Sequence, residues 1–217
     1  ETMTRNGVPL GDDGPNGWGV KYRQGDFNMT SDSHLFRTRD ELEADGWTLE
    51  GNHFVRGEEH YLPLYEGRLG HQFNHRFAQQ PRGVNIDVSD HQRRDPAFCI
   101  EPQYWVAEPD YAKARRLAAP GWLGFRRVSR NTDERTVIAA ILPGLPTSYG
   151  WILSTGPVSL ALLDLAAVYN SFAFDYAARN ALSQPSFPQG TFAQLPAPLP
   201  SSIEPFNGWI RPAVTFS

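Results

Sequence analysis

Two stretches of this chain concentrate side chains that make directed, paired hydrogen bonds. Residues 68–94 carry Arg68, His71, Gln72, Asn74, His75 and Arg76 among aromatic residues; residues 126–135 carry Arg126, Arg127, Arg130, Asn131, Thr132 and Arg135. Guanidinium and amide groups present a fork of hydrogen-bonding atoms, the chemistry that reads the edges of base pairs. Arginine and threonine also hold a phosphate backbone in register. A solvated, salt-bridged face uses the same residue types, and Glu134 beside Arg135 is placed to form such a pair.

Other chemistries lack parts. His71-Gln72-Phe73-Asn74-His75 has the H-x-x-x-H spacing of a zinc grip, yet a hydrolase of that type needs glutamate as general base where Gln72 stands. A metal-dependent hydrolase using His71, His75 and a carboxylate such as Asp87 or Asp90 is the rival enzyme reading. The chain has no G-x-S-x-G elbow, no G-x-x-x-x-G-K-[ST] loop and no G-x-G-x-x-G turn, so no catalytic motif is evident. Asp95-Pro96-Ala97-Phe98 half-matches the [N/D]-P-P-[Y/F] motif that holds a flipped adenine. With Ala97 for the second proline and no glycine-rich cofactor loop before it, it reads as an ordinary turn. Cys99 lies in the apolar run Ala97-Phe98-Cys99-Ile100 and reads as a buried structural thiol.

The elements that position these residues follow from spacing. Thr38-Arg39-Asp40-Glu41 is a capping box, predicting a short helix to Ala44 that stops at Gly46. Residues 47–49 and 53–56 flank Glu50-Gly51-Asn52 as a hairpin. Leu69, His71, Phe73, His75 and Phe77 alternate with polar residues, which predicts a strand. Residues 79–95 then read as an exposed polar loop, and strands are expected at 102–107, 122–128 and 136–142, with a helical turn or two at 112–118. Residues 158–181 are the clearest helical region, broken near Asn170-Ser171, where both residues favour helix ends. The proline-rich stretch from Pro185 to Pro200 should run extended. Tyr65, Phe73, Phe77, Trp105 and Trp122 are expected in the core rather than as stacking platforms. Strands first and helices later give an α+β fold: a mixed, mostly antiparallel curved sheet followed by a C-terminal helical region.

Composition narrows the setting. The 217 residues include one cysteine, so no internal disulfide forms, which fits a reducing, cytoplasmic location. No apolar run approaches membrane-spanning length, and no membrane partner is expected. The net charge of −4 hides an asymmetry: residues 1–60 hold 6 basic against 12 acidic side chains, and residues 111–136 hold 7 against 2. A basic segment in an acidic protein suits DNA binding, because only the docking face needs positive potential. The acidic first sixty residues also allow a protein-interaction module. The chain begins with Glu1 and seventeen Gly-, Asp-, Asn- and Pro-rich residues, the pattern of an excised fragment with a flexible start.

Tyr65-Glu66-Gly67-Arg68 followed by His71-Gln72-Phe73-Asn74-His75-Arg76-Phe77 resembles large adenine-specific DNA methyltransferases with a fused C-terminal specificity domain. That family includes combined restriction–modification enzymes and the methylases of the BREX and DISARM phage-defence systems. Further blocks occur in the family's order: Met29 to Phe36, Tyr104-Trp105-Val106, Trp122-Leu123-Gly124-Phe125-Arg126, Thr132-Asp133-Glu134-Arg135-Thr136, Tyr169-Asn170-Ser171-Phe172 with Phe174-Asp175, and Gln194-Leu195-Pro196. The resemblance covers residues 18 to 200; Asn74 departs from the family's more frequent Asp, and Arg127 from an acidic residue. It implies that residues 18–200 are a DNA target-recognition domain between a flexible segment, 1–17, and a tail, 201–217. It further implies double-stranded DNA and the parent's own methyltransferase domain as partners. S-adenosylmethionine would be bound by that missing domain and no cofactor by this fragment. The two stretches named at the outset would supply two DNA-facing edges.

Overall fold

Thr38 caps the helix Arg39–Ala44 as its spacing predicts: its hydroxyl accepts from the Glu41 amide, and the Glu41 carboxylate accepts from the Thr38 amide at 2.8 Å. Gly46, at φ +81°, turns the chain out of the helix. The structure, a computed structural model, describes residues 7–115, 121–155 and 159–215. The fold is α+β. The chain forms two compact units: Gln24–Gly121 with Leu142–Trp151, and Glu1–Arg23 with Trp122–Ile141 and Ile152–Ser217.

In the unit formed by Gln24–Gly121 and Leu142–Trp151, five strands pair antiparallel in the order Phe36–Arg37, Trp105–Ala107, Glu59–Pro63, His53–Arg56, Thr48–Glu50. The hairpin at Gly51-Asn52 forms as expected, with Gly51 at φ +64° in the first central position. Side-chain alternation gives the sheet two packed faces. Phe36, Leu62 and Val106 face a cluster with Phe27, Leu64 and Tyr111, the last from the helix Glu108–Ala114. Phe54, Tyr61 and Trp105 face Leu42 and Trp47. Trp105 meets Phe54 edge-on at 5.0 Å and donates its indole N–H to the Asn52 carbonyl, so a fully buried polar atom is satisfied. That helix begins at Glu108, earlier than the expected 112–118, because Pro109 suits a first turn; residues 116–118 of the expectation lie outside the described residues.

The strand expected over 69–77 does not form. Gly67–Leu69 is a 3-10 turn, and residues 71–74 close on themselves: the His71 amide donates to the Asn74 carbonyl at 2.7 Å and the Asn74 amide to the His71 carbonyl at 3.0 Å. Phe73 sits at φ +57° within this turn. The alternation was not accompanied by a neighbouring strand; the adjacent extended backbone pairs with Tyr65 instead, through the Pro146 carbonyl and the Ser148 amide. Asn74 Oδ1 accepts from the Arg76 amide, a local bond that competes with strand pairing. Gly67 is required where it stands, since a Cβ there would lie 2.9 Å from the Gly150 carbonyl oxygen. The polar stretch 79–95 is built rather than open: strands Ala78–Gln79 and Ile86–Asp87 pair, and Ser89 with Gln92 forms a second capping box on the helix Asp90–Arg94. Phe98 and Ala97 both donate to Asp95, confirming the turn there. Cys99 is exposed, not buried, because that turn carries the run's apolar side inward at Ile100 alone.

A second sheet has the strand order Ala139–Pro143, Gly121–Arg126, Trp151–Thr155, Lys21–Gln24. The helices Ser159–Tyr169 and Phe172–Ala181 break at Asn170-Ser171, with Ser171 accepting from the Phe174 amide as N-cap; Val158, the expected start, lies outside the described residues. Phe192 centres an aromatic core: it stacks on Phe125 at 3.8 Å and meets Tyr22, Tyr169, Phe174 and Phe187 edge-on or steeply tilted. Burial raises the Tyr169 phenol to about 12, and its hydroxyl bonds with Ser154 and Tyr22. The expected flexible start is held from Val8–Pro9, which pair with Pro196–Ala197, while Leu10 is fully buried. The proline-rich end also departs from an extended run. Gln189–Ala193, Pro200–Ile203 and Asn207–Thr215 are helical, because Pro200 begins its helix where no amide is needed. Asp164 inside Ser159–Tyr169 is matched by a two-pronged bond from Arg211, both arms at 2.9 Å. Among the described residues no helix is long and apolar enough to cross a membrane.

Candidate functional site

The candidate residues divide between the two units. In the loop of residues 66–77, Arg68 is exposed, whereas His71, Gln72, Asn74, His75 and Arg76 are half-buried. Arg76 turns inward. Its guanidinium donates to the carbonyls of Arg93, Asp95 and Phe98 at 2.7, 3.0 and 3.1 Å, so this residue, named among the DNA-facing ones, braces two loops in this structure. Asn74 is likewise committed to the turn. His71 lies against Phe77 with ring centres 4.6 Å apart. Burial, and then the neighbouring Arg76 charge, hold His75 below the ordinary histidine value, so the ring is neutral near pH 7 and offers no charge to phosphate. Tyr65 donates its hydroxyl to the His75 carbonyl. Among the described residues no three His, Cys, Asp or Glu side chains are grouped to hold a metal ion.

The loop between strands Gly121–Arg126 and Ala139–Pro143 is built differently. Its neck is closed by the Arg126 amide on the Ile138 carbonyl and by the Ser129 hydroxyl on the Thr136 carbonyl. The helix Phe172–Ala181 then grips it from one side. Asp175 Oδ1 accepts from the amides of Thr136 and Val137, both at 2.8 Å. Arg179 donates to the carbonyls of Asn131, Asp133 and Glu134 at 2.6, 2.8 and 3.0 Å. Asn170, just before this helix, accepts from the Ala139 amide and donates to the Ala139 carbonyl, so its side chain acts as a one-residue strand on the sheet's edge. Every one of these bonds goes to the backbone, which leaves the side chains of the tip free to face outward.

Arg135 is the exception. It is 8% exposed, donates to the Asn170 carbonyl, lies 3.8 Å from Asp175 and sits over the Phe172 ring. The expected Glu134–Arg135 ion pair is therefore replaced by an Arg135–Asp175 pair, because a buried guanidinium is stabilised by a buried carboxylate and Glu134 is exposed. Arg135, named among the DNA-facing residues, is thus held inward against Asn170 and Asp175 in this structure. Arg130, Asn131 and Thr132 are exposed at the tip, Arg126 and Arg127 are half-buried at its base, and Arg127 and Arg130 have no ion pair among the described residues.

Sequence reasoning missed the bracing set. Asn170 and Asp175 stand in blocks that carry the resemblance, and the i, i+4 spacing of Asp175 to Arg179 is visible, but the backbone groups that Asn170, Asp175 and Arg179 satisfy lie 31 to 48 residues away. The same helix carries Phe172, 84% exposed, and Tyr176, 71% exposed, beside an open cleft of about 820 Å³ that continues along Thr191, Gln194, Leu195 and Pro196. No protein-family model and no curated protein sequence matches the chain.

Proposed function

We propose that this chain is the DNA target-recognition part of an adenine-specific DNA methyltransferase of the restriction or phage-defence type. One observation carries the reading: a loop whose backbone is fixed by Asp175 and Arg179 while Arg130, Asn131 and Thr132 stand exposed at its tip. Base reading needs forked donors held in place before the duplex arrives, since ordering a loose loop on binding costs affinity. Of the residues in this arrangement, Thr132 and Asp175 stand in the blocks that carry the resemblance, which supports the reading.

On this reading double-stranded DNA is the partner of the loop. Arg127 at its base meets phosphate, with Arg126 beside it, and Arg68 of the other unit is a separate phosphate contact. The catalytic domain of a longer cytoplasmic parent would hold S-adenosylmethionine and methylate an adenine drawn out of the stack, while this part selects the site. The test is binding of the chain to labelled duplex DNA across a salt series. Arg127→Ala should weaken binding to all sequences alike and flatten the logarithmic salt slope by about 0.9. Arg130→Ala or Asn131→Ala should instead relax preference at one base pair, by about 1–3 kcal/mol. A chain that binds no duplex at low salt sinks the proposal.

A further inference from the structure

The braced tip is one lip of a notch, and the other lip lies just past the helix that braces it. The notch measures about 260 Å³ and is bounded by Arg130, Asn131 and Thr132 on one side and by Ser183, Gln184 and Pro185 on the other. Both lips are anchored. Arg179 holds the first through three carbonyls. The second follows directly from Leu182, which is 5% exposed, and is tied back by the Phe187 amide on the Arg127 carbonyl at 2.9 Å. Ser183 and Gln184 are exposed between these anchors.

The side chains of Arg130, Asn131, Thr132, Ser183 and Gln184 have no hydrogen-bond partner among the described residues, although the backbone beneath each lip is fixed. Folding has spent its hydrogen bonds on holding the frame and left the forked groups of the frame unused. Asp133 and Glu134 are exposed on the same tip, so the notch is not a simple phosphate trap: a carboxylate repels phosphate but accepts from the exocyclic amino group of cytosine. Two amides, two hydroxyls and one guanidinium facing one small space match the donor and acceptor pattern of base edges better than the uniform charge of a sugar–phosphate chain.

We infer that Gln184 is a second base-reading residue, opposed to Asn131 across the notch, and that its amide selects adenine through paired bonds to that base's edge. This rests on the DNA-recognition reading above and adds a specificity residue that the two stretches first identified do not contain. The test is selection of bound duplexes from a pool with a randomised centre, followed by sequencing of the retained fraction, for the chain and for Gln184→Ala and Gln184→Glu. Gln184→Ala should lower the preference for adenine at one position by about tenfold, and Gln184→Glu should turn that position toward cytosine. Both substitutions fall on an exposed position, so the thermal midpoint serves as the check on folding. If both variants select the same sequence as the unaltered chain, the inference is overturned and the DNA-recognition reading survives. If the unaltered chain retains no duplex at all, that reading fails and takes this one with it.

Discussion

A histidine that folding has taken out of water contributes to stability only while it is neutral. Burial and the adjacent Arg76 charge hold His75 below 6.5, whereas an unfolded chain takes up a proton near that value. As pH falls through 6.5, the unfolded state therefore binds more protons than the folded one, and stability present above that pH is lost on the acid side. His53, lowered by its own burial and by His60, acts in the same sense. Glu66 acts in the opposite one: its burial raises the carboxyl, so its share of stability is lost as pH rises from 4.5. The informative measurement is therefore the difference between variants. His75→Gln should show a smaller fall in urea midpoint between pH 7.5 and 5.5 than the unaltered chain; an equal fall would show that the ring already titrates normally. The residue types of this loop were legible in the sequence, but their directions were not. Whether Arg76 points outward depends on carbonyls of residues 93, 95 and 98, which no pattern within residues 68–77 announces.

Elements defined by local bonds were legible, and those defined by distant partners were not. Thr38 with Glu41, the Gly51-Asn52 turn and the break at Asn170-Ser171 each close within a few residues, so spacing alone predicts them. The strand Trp151–Thr155 went unpredicted because four of its five residues are buried and nothing alternates. Alternation over 69–77 misled for the converse reason: periodicity states what a strand would bury, not whether a partner strand exists. The helix Phe172–Ala181 draws its importance from the loop it grips, and that is testable. Asp175→Ala leaves the amides of Thr136 and Val137 without an acceptor and the buried Arg135 without its carboxylate, a loss of about 3–5 kcal/mol by chemical denaturation. Asp175→Asn, which keeps an acceptor oxygen, should lose less. Arg179→Ala should move the midpoint less than Asp175→Ala yet speed amide exchange across residues 130–134. Unchanged exchange there would mean that the tip is held by something other than Arg179.

At the scale of the molecule the order of strands before helices announces an α+β fold, and the chain groups into two compact units. Their boundaries fall between adjacent residues such as Arg23 and Gln24, with no linker composition to mark them. Charge is the whole-molecule property that bears on function. A chain of net charge −4 repels a duplex at long range, and attraction arises only where basic side chains come within a screening length of it. That length is about 30 Å at 0.01 M salt and about 8 Å at 0.15 M, so the sum over the chain governs affinity in dilute buffer and the contact face governs it at physiological salt. Glu58, exposed in the acidic first sixty residues, separates the two regimes. Glu58→Lys should strengthen binding to every duplex at the lower salt and lose that effect at the higher, while Arg130→Ala weakens binding in both. Measured by anisotropy, a Glu58→Lys gain that persists undiminished at 0.15 M would mean that residue 58 itself lies within a screening length of the bound duplex, and that the contact face is not the one built around residues 130–132.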